Sequence, residues 1–461
     1  MKRRSGGITV GVDIGTTAVK AIAVDEQGNE IGRSRVPHKV LAPEPHVLRH
    51  DARRAWRIGP KKAYDDVVAQ LGGESVDAVA VAAMVPSLTA VNQAGVPTLP
   101  GLLYGDTEGR RPEGAPNDLS LGAMPDAEGF LRWAVRSEPQ ARGYWPAQAV
   151  ATHALTGTPA VDTGVTASLG MLHSMGKWNT PLLEEFGACE AQMPMVTHMG
   201  AAGGTIPGTD TVFTGGSIDA FCDQIVSGAF EPGDVLVIFG ATLITWAITT
   251  EWLMVPGLIS YPHTTPDRFM IGGPSNAGAL FVDWARQLLR GTPKPGPGRE
   301  ELPHRIGRPD RVPVWLPYIR GERTPFEDHS LLSNIYGLDI GTDGAQLERA
   351  AFEASGFVVR RLVEMSGVRP RRIVASGGGS RVTAWMAAVA DATNLPVEAV
   401  AGADGGARGA AYLARLAAGL ETSLEGSARW ASIGRCIEPD SDWVGPTDER
   451  YRRFCDFGTG K

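Results

Sequence analysis

The chain has 461 residues and a formal net charge of −7, long enough for two or more domains with cores of their own. An acidic balance without a basic stripe argues against a nucleic-acid binder, and no stretch approaches the roughly 20 apolar residues of a membrane span. The four cysteines, Cys189, Cys222, Cys436 and Cys455, show neither CxxC nor metal-ligand spacing and suit a reduced, cytoplasmic compartment. The basic start Met1–Arg4 is not read as a signal peptide, because Asp13 breaks the apolar run behind it and strand pattern follows. Residues 8–13 and 19–24 read as hairpin strands, with Gln27-Gly28 as the next turn. Residues 53–70 read as helix, and 77–83 and 87–92 as further strands. Residues 105–129 form a polar surface loop with Gly and Pro, and a helix over 145–156 ends at a Gly157 cap. The glycines of 200–204 close an N-terminal domain, 1–205, and a C-terminal domain spans 206–461. Within the latter, 291–298 cannot be helix because of its prolines. Residues 346–365 read as an amphipathic helix, 382–393 as a helix-like run, and 405–420 as an alanine-rich helix made for close packing.

The chemistry is concentrated in glycine turns that follow strands. Ile8 to Ile14 is a β-rich apolar run holding one carboxylate, Asp13, and it closes in Gly15-Thr16-Thr17. A carboxylate buried among valines and isoleucines costs several kcal/mol unless a metal ion or a donor network offsets it. The turn offers backbone N–H groups and two hydroxyls, which suit a phosphate. A second strand, 234–239, enters Gly240-Ala241-Thr242, and Gly215-Gly216-Ser217-Ile218-Asp219-Ala220 places another acid in a small-residue loop. A third turn, Gly377-Gly378-Gly379-Ser380, lies between a strand and a helix. Two strand–turn phosphate candidates plus a late Gly-rich turn fit a two-lobed ATPase built from two related α/β halves.

With these pieces the chain resembles the FGGY carbohydrate kinases of the actin, hexokinase and Hsp70 ATPase superfamily. The resemblance rests on Asp13 to Thr17, the Gly-Gly-x-x-Asp-Ala segment at 215–220 and the Gly377–Gly379 turn with Asn394-Leu395-Pro396-Val397. It also rests on Gly337-Leu338 and on Pro317-Tyr318-Ile319-Arg320-Gly321-Glu322-Arg323-Thr324-Pro325, the most family-specific piece. Within the family the pattern is most similar to xylulose kinases. The resemblance implies two actin-like (ribonuclease H-like) ATPase domains with an interdomain cleft, and transfer of the ATP γ-phosphate to a sugar hydroxyl, D-xylulose giving D-xylulose 5-phosphate. Asp219 is then the general base, with Asp223 as the competing carboxylate and a turn or helix N-cap as the structural alternative. Asp13 is the Mg²⁺-associated aspartate, acting through water. Gly15, Thr16, Thr17, Gly240 and Thr242 bind phosphates, while Gly378 and Gly379, with Ser380 and Thr383 nearby, pack on adenine and ribose. Lys20 either reaches a phosphate or is a solvated strand residue.

The sequence departs from the family in places. Ala241 stands where a phosphate-binding threonine is common, so Thr242 compensates or phosphate binding weakens. Met84-Val85-Pro86-Ser87 replaces a polar Gln-Met-His-Gly-like stretch, leaving Ser87 to supply one of the lost donors to the sugar. Tyr104-Gly105-Asp106 resembles a Trp-x-Asp motif near the sugar, with Asp106 as hydroxyl acceptor or, alternatively, as a loop cap. The region 107–145 is shorter than in the family, which opens the cleft or leaves it to be completed by a second subunit in a homodimer. His50, His153 and the other histidines lack ligand spacing and are read as structural. Rival readings are a kinase for another ketose, polyol or sugar acid, a weakly catalytic sugar sensor, and a non-kinase ATPase of the superfamily. A dehydrogenase is disfavoured because GxGxxG spacing is missing around Gly377–Gly379.

Overall fold

The first strand, Thr9–Ile14, is buried at every residue, as expected of an apolar run in the middle of a sheet. The computed structural model describes residues 6–44, 47–109, 126–174, 176–290, 305, 307–402 and 404–458. It divides the chain into two compact units, Met1–Val226 with Asp404–Trp430, and Ser227–Ala403 with Ala431–Lys461.

In the first unit the sheet runs Ala202–Thr205, Val212–Thr214, Ala78–Ala83, Thr9–Ile14, Ala18–Val24, Glu30–Pro37, and Ser217–Ile218 also pairs with Ala78–Ala83. Thr9–Ile14 is antiparallel to Ala18–Val24 and parallel to Ala78–Ala83. The register sets Asp13 opposite Lys20 on one side and opposite Ala82 on the other. Ser217 pairs with the same Ala82 from the far side, so Asp13 and the start of the Asp219 segment meet across one strand. The helix Gly405–Ala417 packs tightly on this layer. A Cβ on Gly409 would fall 1.9 Å from Cys222 O, and one on Gly11 would fall 1.8 Å from Ala407 O.

The second unit repeats the plan with the order Ile259–Pro262, Phe269–Ser275, Leu243–Thr249, Asp234–Phe239, Arg372–Ser376, Val397–Val400, Ile433–Ile437. Here too the central strand, Asp234–Phe239, is antiparallel to its hairpin partner Leu243–Thr249 and parallel to Arg372–Ser376. The helix Gly344–Ser366 opens with a capping box from Asp343 to Gln346 and closes on Gly367 at φ 71°, a conformation that glycine adopts without strain. Two related α/β halves are therefore what the duplicated turns encode.

The division differs from a boundary at 205. Residues 206–226 belong to the first unit because Val212–Thr214 and Ser217–Ile218 pair with Ala78–Ala83, and Ala202–Thr205 is an edge strand of that sheet. Asp219 thus sits in the first unit, not with the C-terminal half, and Asp404–Trp430 returns to it as well. Helix 53–70 opens with a wider π-type turn, Arg53–Ile58, before Gly59–Gln70. The end of the predicted 105–129 loop is already helix, Asp126–Ser137, while 110–125 and 291–298 lie outside the described residues. Ala147–Thr156 ends on Gly157 at φ 80°, the expected cap. Among the described residues no helix is long and apolar enough to cross a membrane, and the four cysteines are free.

Candidate active site

The ends of parallel strands gather the acids of the first unit. Asp13 closes Thr9–Ile14 with Lys20 beside it. Lys20 Nζ lies 3.8 Å from Asp13 Oδ2 and 3.0 Å from Asp404 Oδ1. Burial raises Asp13 above the usual carboxylate range, with Lys20 opposing the shift. Burial works against the Asp404 carboxylate too, but Lys20 and Arg33 hold it below that range. Gly406 lets the backbone approach Asp13: a Cβ there would stand 3.0 Å from Asp13 Cγ. Asp13 Oδ1 is buried and has no hydrogen-bond partner among the described residues, an acceptor left for a cation or its water. Among the described residues no group of three or more His, Cys, Asp or Glu is set to enclose a metal. A single carboxylate suits Mg²⁺, which keeps most of its water.

Asp219 opens the helix Asp219–Ile225, and its Oδ1 accepts from the Ala220 N–H at 2.7 Å. Burial first, and the Asp13 charge second, push its carboxyl up to about 7. A carboxylate poised there can take a proton near neutral pH. Its loop is pinned from behind: Gln148 Nε2 donates to Ser217 O at 3.2 Å and to Ala83 O at 2.9 Å, and Asp162 N donates to Gly216 O at 2.9 Å.

The turn Gly15–Thr17 is fixed by its carbonyls. Gly15 O and Thr16 O lie 3.0 and 2.8 Å from His38 Nε2 and His50 Nε2. These two histidines had no ligand signal in the sequence. Tyr104 OH lies 3.4 Å from Thr16 Oγ1, which brings the Tyr104 segment to the turn.

In the second unit Gly240-Ala241-Thr242 rests on the helix Ala279–Arg290. Ala279 N donates to Gly240 O at 2.9 Å and Leu280 N to Ala241 O at 3.1 Å. Gly278 is required at this contact, since a Cβ would fall 2.3 Å from Thr242 C. Glu322 stands behind it. Fully buried, it accepts from Ser275 Oγ at 2.7 Å and from Asn276 N at 2.9 Å, and burial raises it to about 7. The Pro317–Pro325 run therefore braces the segment on which the Gly240 turn rests. In the third turn Gly379 is demanded by packing, because a Cβ would lie 2.6 Å from the Trp385 ring and 2.9 Å from Phe239 Cβ. Gly378 faces open space, and Thr383 Oγ1 accepts from Arg435.

Two residues expected on the sugar side have partners of their own. Ser87 Oγ accepts from Ala147 N at 3.1 Å, which leaves its O–H to donate elsewhere. Asp106 is buried and accepts from Leu48 N, Arg49 Nε, Arg49 Nη2 and Glu108 N at 2.9 to 3.2 Å. Those contacts engage both carboxylate oxygens, the arrangement the loop-cap reading of Asp106 expects.

With this geometry in hand, comparison with known sequences is direct. Residues 8–109 match the family model "FGGY family of carbohydrate kinases, N-terminal domain", and 237–418 match that of its C-terminal domain. The chain belongs to the FGGY family of carbohydrate kinases. It is an ATP-dependent sugar kinase. Like other FGGY kinases it aligns over nearly its whole length: a xylulose kinase of Escherichia coli (strain K12) is 25% identical, over 90% of this chain and 91% of its own. Among solved structures, a xyloylose kinase from Brucella ovis superposes with a TM-score of 0.81 at 24% identity, covering 98% of both chains. A gluconate kinase from Lactobacillus acidophilus does so with a TM-score of 0.81 at 19% identity, covering 99% of this chain and 98% of its own. These two likenesses show the two-domain actin-like fold of FGGY kinases.

Sequence reasoning did not single out Asp404 or Gln148, read His38 and His50 as structural, and left Lys20 undecided. Lys20 alone had a readable signal: seven residues after Asp13 across the Gly15–Thr17 turn, it is Asp13's hairpin partner. The others come from distant segments and carry no local motif.

Proposed function

We propose that the protein phosphorylates D-xylulose to D-xylulose 5-phosphate with Asp219 as general base. The observation that carries this reading is Asp219 itself: it stands at the end of parallel strands near Asp13, with its carboxyl raised to about 7. In this reading the acceptor hydroxyl gives its proton to the Asp219 carboxylate as its oxygen bonds the γ-phosphorus, and ADP leaves. Asp13 would hold Mg²⁺ through water, and the ion when bound supplies charge neutralisation on the phosphates. Gly15, Thr16 and Thr17 bind phosphate through backbone N–H and hydroxyl groups, as do Gly240 and Thr242. Gly378 presents the open face of its turn to the nucleoside, with Gly379 and Thr383 shaping that turn. Tyr104 and the Ser87 hydroxyl contribute on the acceptor side. Four free cysteines fit an enzyme of the cytoplasm.

One observation favours a second reading of the acceptor. Met84, Val85 and Pro86 follow directly on Ala83, which pairs with Ile218 next to Asp219, so this wall offers few side-chain donors. An acceptor with fewer hydroxyls to be read there, such as another ketose or a short polyol, fits it as well, since unmatched polar groups dominate discrimination. ADP release with Mg²⁺-ATP across ketoses, aldoses, polyols and sugar acids decides between them. D-xylulose should stimulate most strongly, and a different best acceptor replaces it. Asp219→Asn should lower kcat by at least about a thousandfold while nucleotide affinity holds; retention of a few per cent of turnover removes Asp219 from its role.

A further inference from the structure

The carbonyls behind the Gly15–Thr17 turn are taken up by imidazoles. His38 Nε2 lies 3.0 Å from Gly15 O, His50 Nε2 lies 2.8 Å from Thr16 O, and His38 N donates to Thr17 O at 3.0 Å. A carbonyl only accepts, so each of these ring contacts requires a proton on Nε2. For His50 the other ring nitrogen agrees, because the indole of Trp56, a pure donor, gives its Nε1–H to His50 Nδ1 at 3.0 Å. His50 is therefore the neutral Nε2–H tautomer, and burial lowers its pKa to about 4. The two imidazoles meet edge to face with centroids 4.6 Å apart.

A trans peptide is planar, with its C=O and N–H on opposite sides. Gly15 C=O shares a peptide unit with Thr16 N–H, and Thr16 C=O shares one with Thr17 N–H. Capping both carbonyls from behind therefore turns both N–H groups to the opposite face, where neither donates to a backbone carbonyl among the described residues. It also polarises them, because hydrogen bonds in series strengthen one another. The corresponding turn of the second unit solves the same problem by other means. There Gly240 O and Ala241 O are capped by the Ala279 and Leu280 N–H groups of a helix start. Two different donor types serve the same two positions in the two halves, which is what a requirement on the orientation of the turn would produce.

We propose that His38 and His50, the latter oriented by Trp56, are positioning residues that hold the Thr16 and Thr17 N–H groups toward the phosphates of ATP. The proposal rests on the reading of this turn as a phosphate site. Its test compares His50→Leu, His50→Gln, Trp56→Phe and Thr17→Val for ATP affinity, adenosine affinity, KM for ATP and KM for the sugar. His50→Leu should weaken ATP about tenfold, the worth of one ordered polar contact, with adenosine and sugar unchanged. His50→Gln keeps an N–H donor near the Nε2 position and should recover most of that loss, and Trp56→Phe should give an intermediate one. A parallel loss of ATP and adenosine affinity in His50→Leu would mean a merely structural role and overturn the proposal. So would parent-like ATP affinity in His50→Leu while Thr17→Val weakens ATP. If neither variant changes ATP affinity, the phosphate reading of the turn itself fails.

Discussion

In the proposed reading, the burial that would suit Asp219 to take a proton also costs stability. Its carboxyl is held at about 7 by burial and by Asp13, against an ordinary value of 3.8. Between those values the folded chain keeps a proton that the unfolded chain has released, so folding loses stability as pH rises through this window. The full penalty stands above pH 7. Asp219→Asn should therefore raise the melting temperature of the ligand-free protein at pH 8, by on the order of 4 kcal/mol in stability, and the gain should vanish near pH 4. Thermal melts of the parent and the variant at both pH values measure it; a variant that is equal or less stable at pH 8 would show that the site carries no such strain. Asp13 had been legible in the sequence because a lone acid in a valine-rich strand is anomalous on its face. Asp404 was not, because an acid before Gly405-Gly406 looks like any helix cap until Lys20 is seen beside it.

At the scale of elements, helix Gly405–Ala417 was legible as alanine-rich and close-packed, but its glycines acquire meaning only from their neighbours. Gly409→Ala puts a methyl 1.9 Å from the carbonyl of Cys222, where backbone cannot yield cheaply. It should destabilise the protein by more than about 3 kcal/mol, measured by chemical unfolding. Gly419→Ala is no control, because its φ of 68° is strained for alanine in any surroundings. Gly344, with nothing near it at the start of its helix, is the fair one. The Pro317–Pro325 run was legible as specific to a family but not as a device. Its Glu322 joins Ser275 and Asn276, 46 to 47 residues away, to the support of the Gly240 turn. Glu322→Ala leaves the Asn276 N–H and the Ser275 hydroxyl without this buried acceptor, which costs about 1–3 kcal/mol. We expect a lower melting temperature together with a raised KM for ATP and an unchanged KM for the sugar. Equal rises in both constants would mean that the brace does not act through the turn.

At the scale of the molecule, both halves share one plan: a central strand with an antiparallel hairpin partner and a parallel neighbour, and a glycine turn at the hairpin. That plan was readable because each strand–turn is continuous in sequence and its glycines and hydroxyls stand side by side. The limits of the halves were not. The first unit recruits Val212–Thr214 and Ser217–Ile218 by pairing with Ala78–Ala83, and Asp404–Trp430 by packing, so no composition shift marks its edge. The sequence by itself determined the two related α/β halves and the glycine turns, since local pattern suffices for those, and it singled out Asp13 as a lone acid in an apolar strand; Asp219 was singled out through the family resemblance. Only the tertiary structure decided that Asp106 is bound by Arg49 and backbone, that Lys20 serves Asp13 and Asp404, and that His38 and His50 stand behind the first turn. Those outcomes depend on hydrogen bonds and ion pairs between side chains and segments that a one-dimensional pattern does not pair.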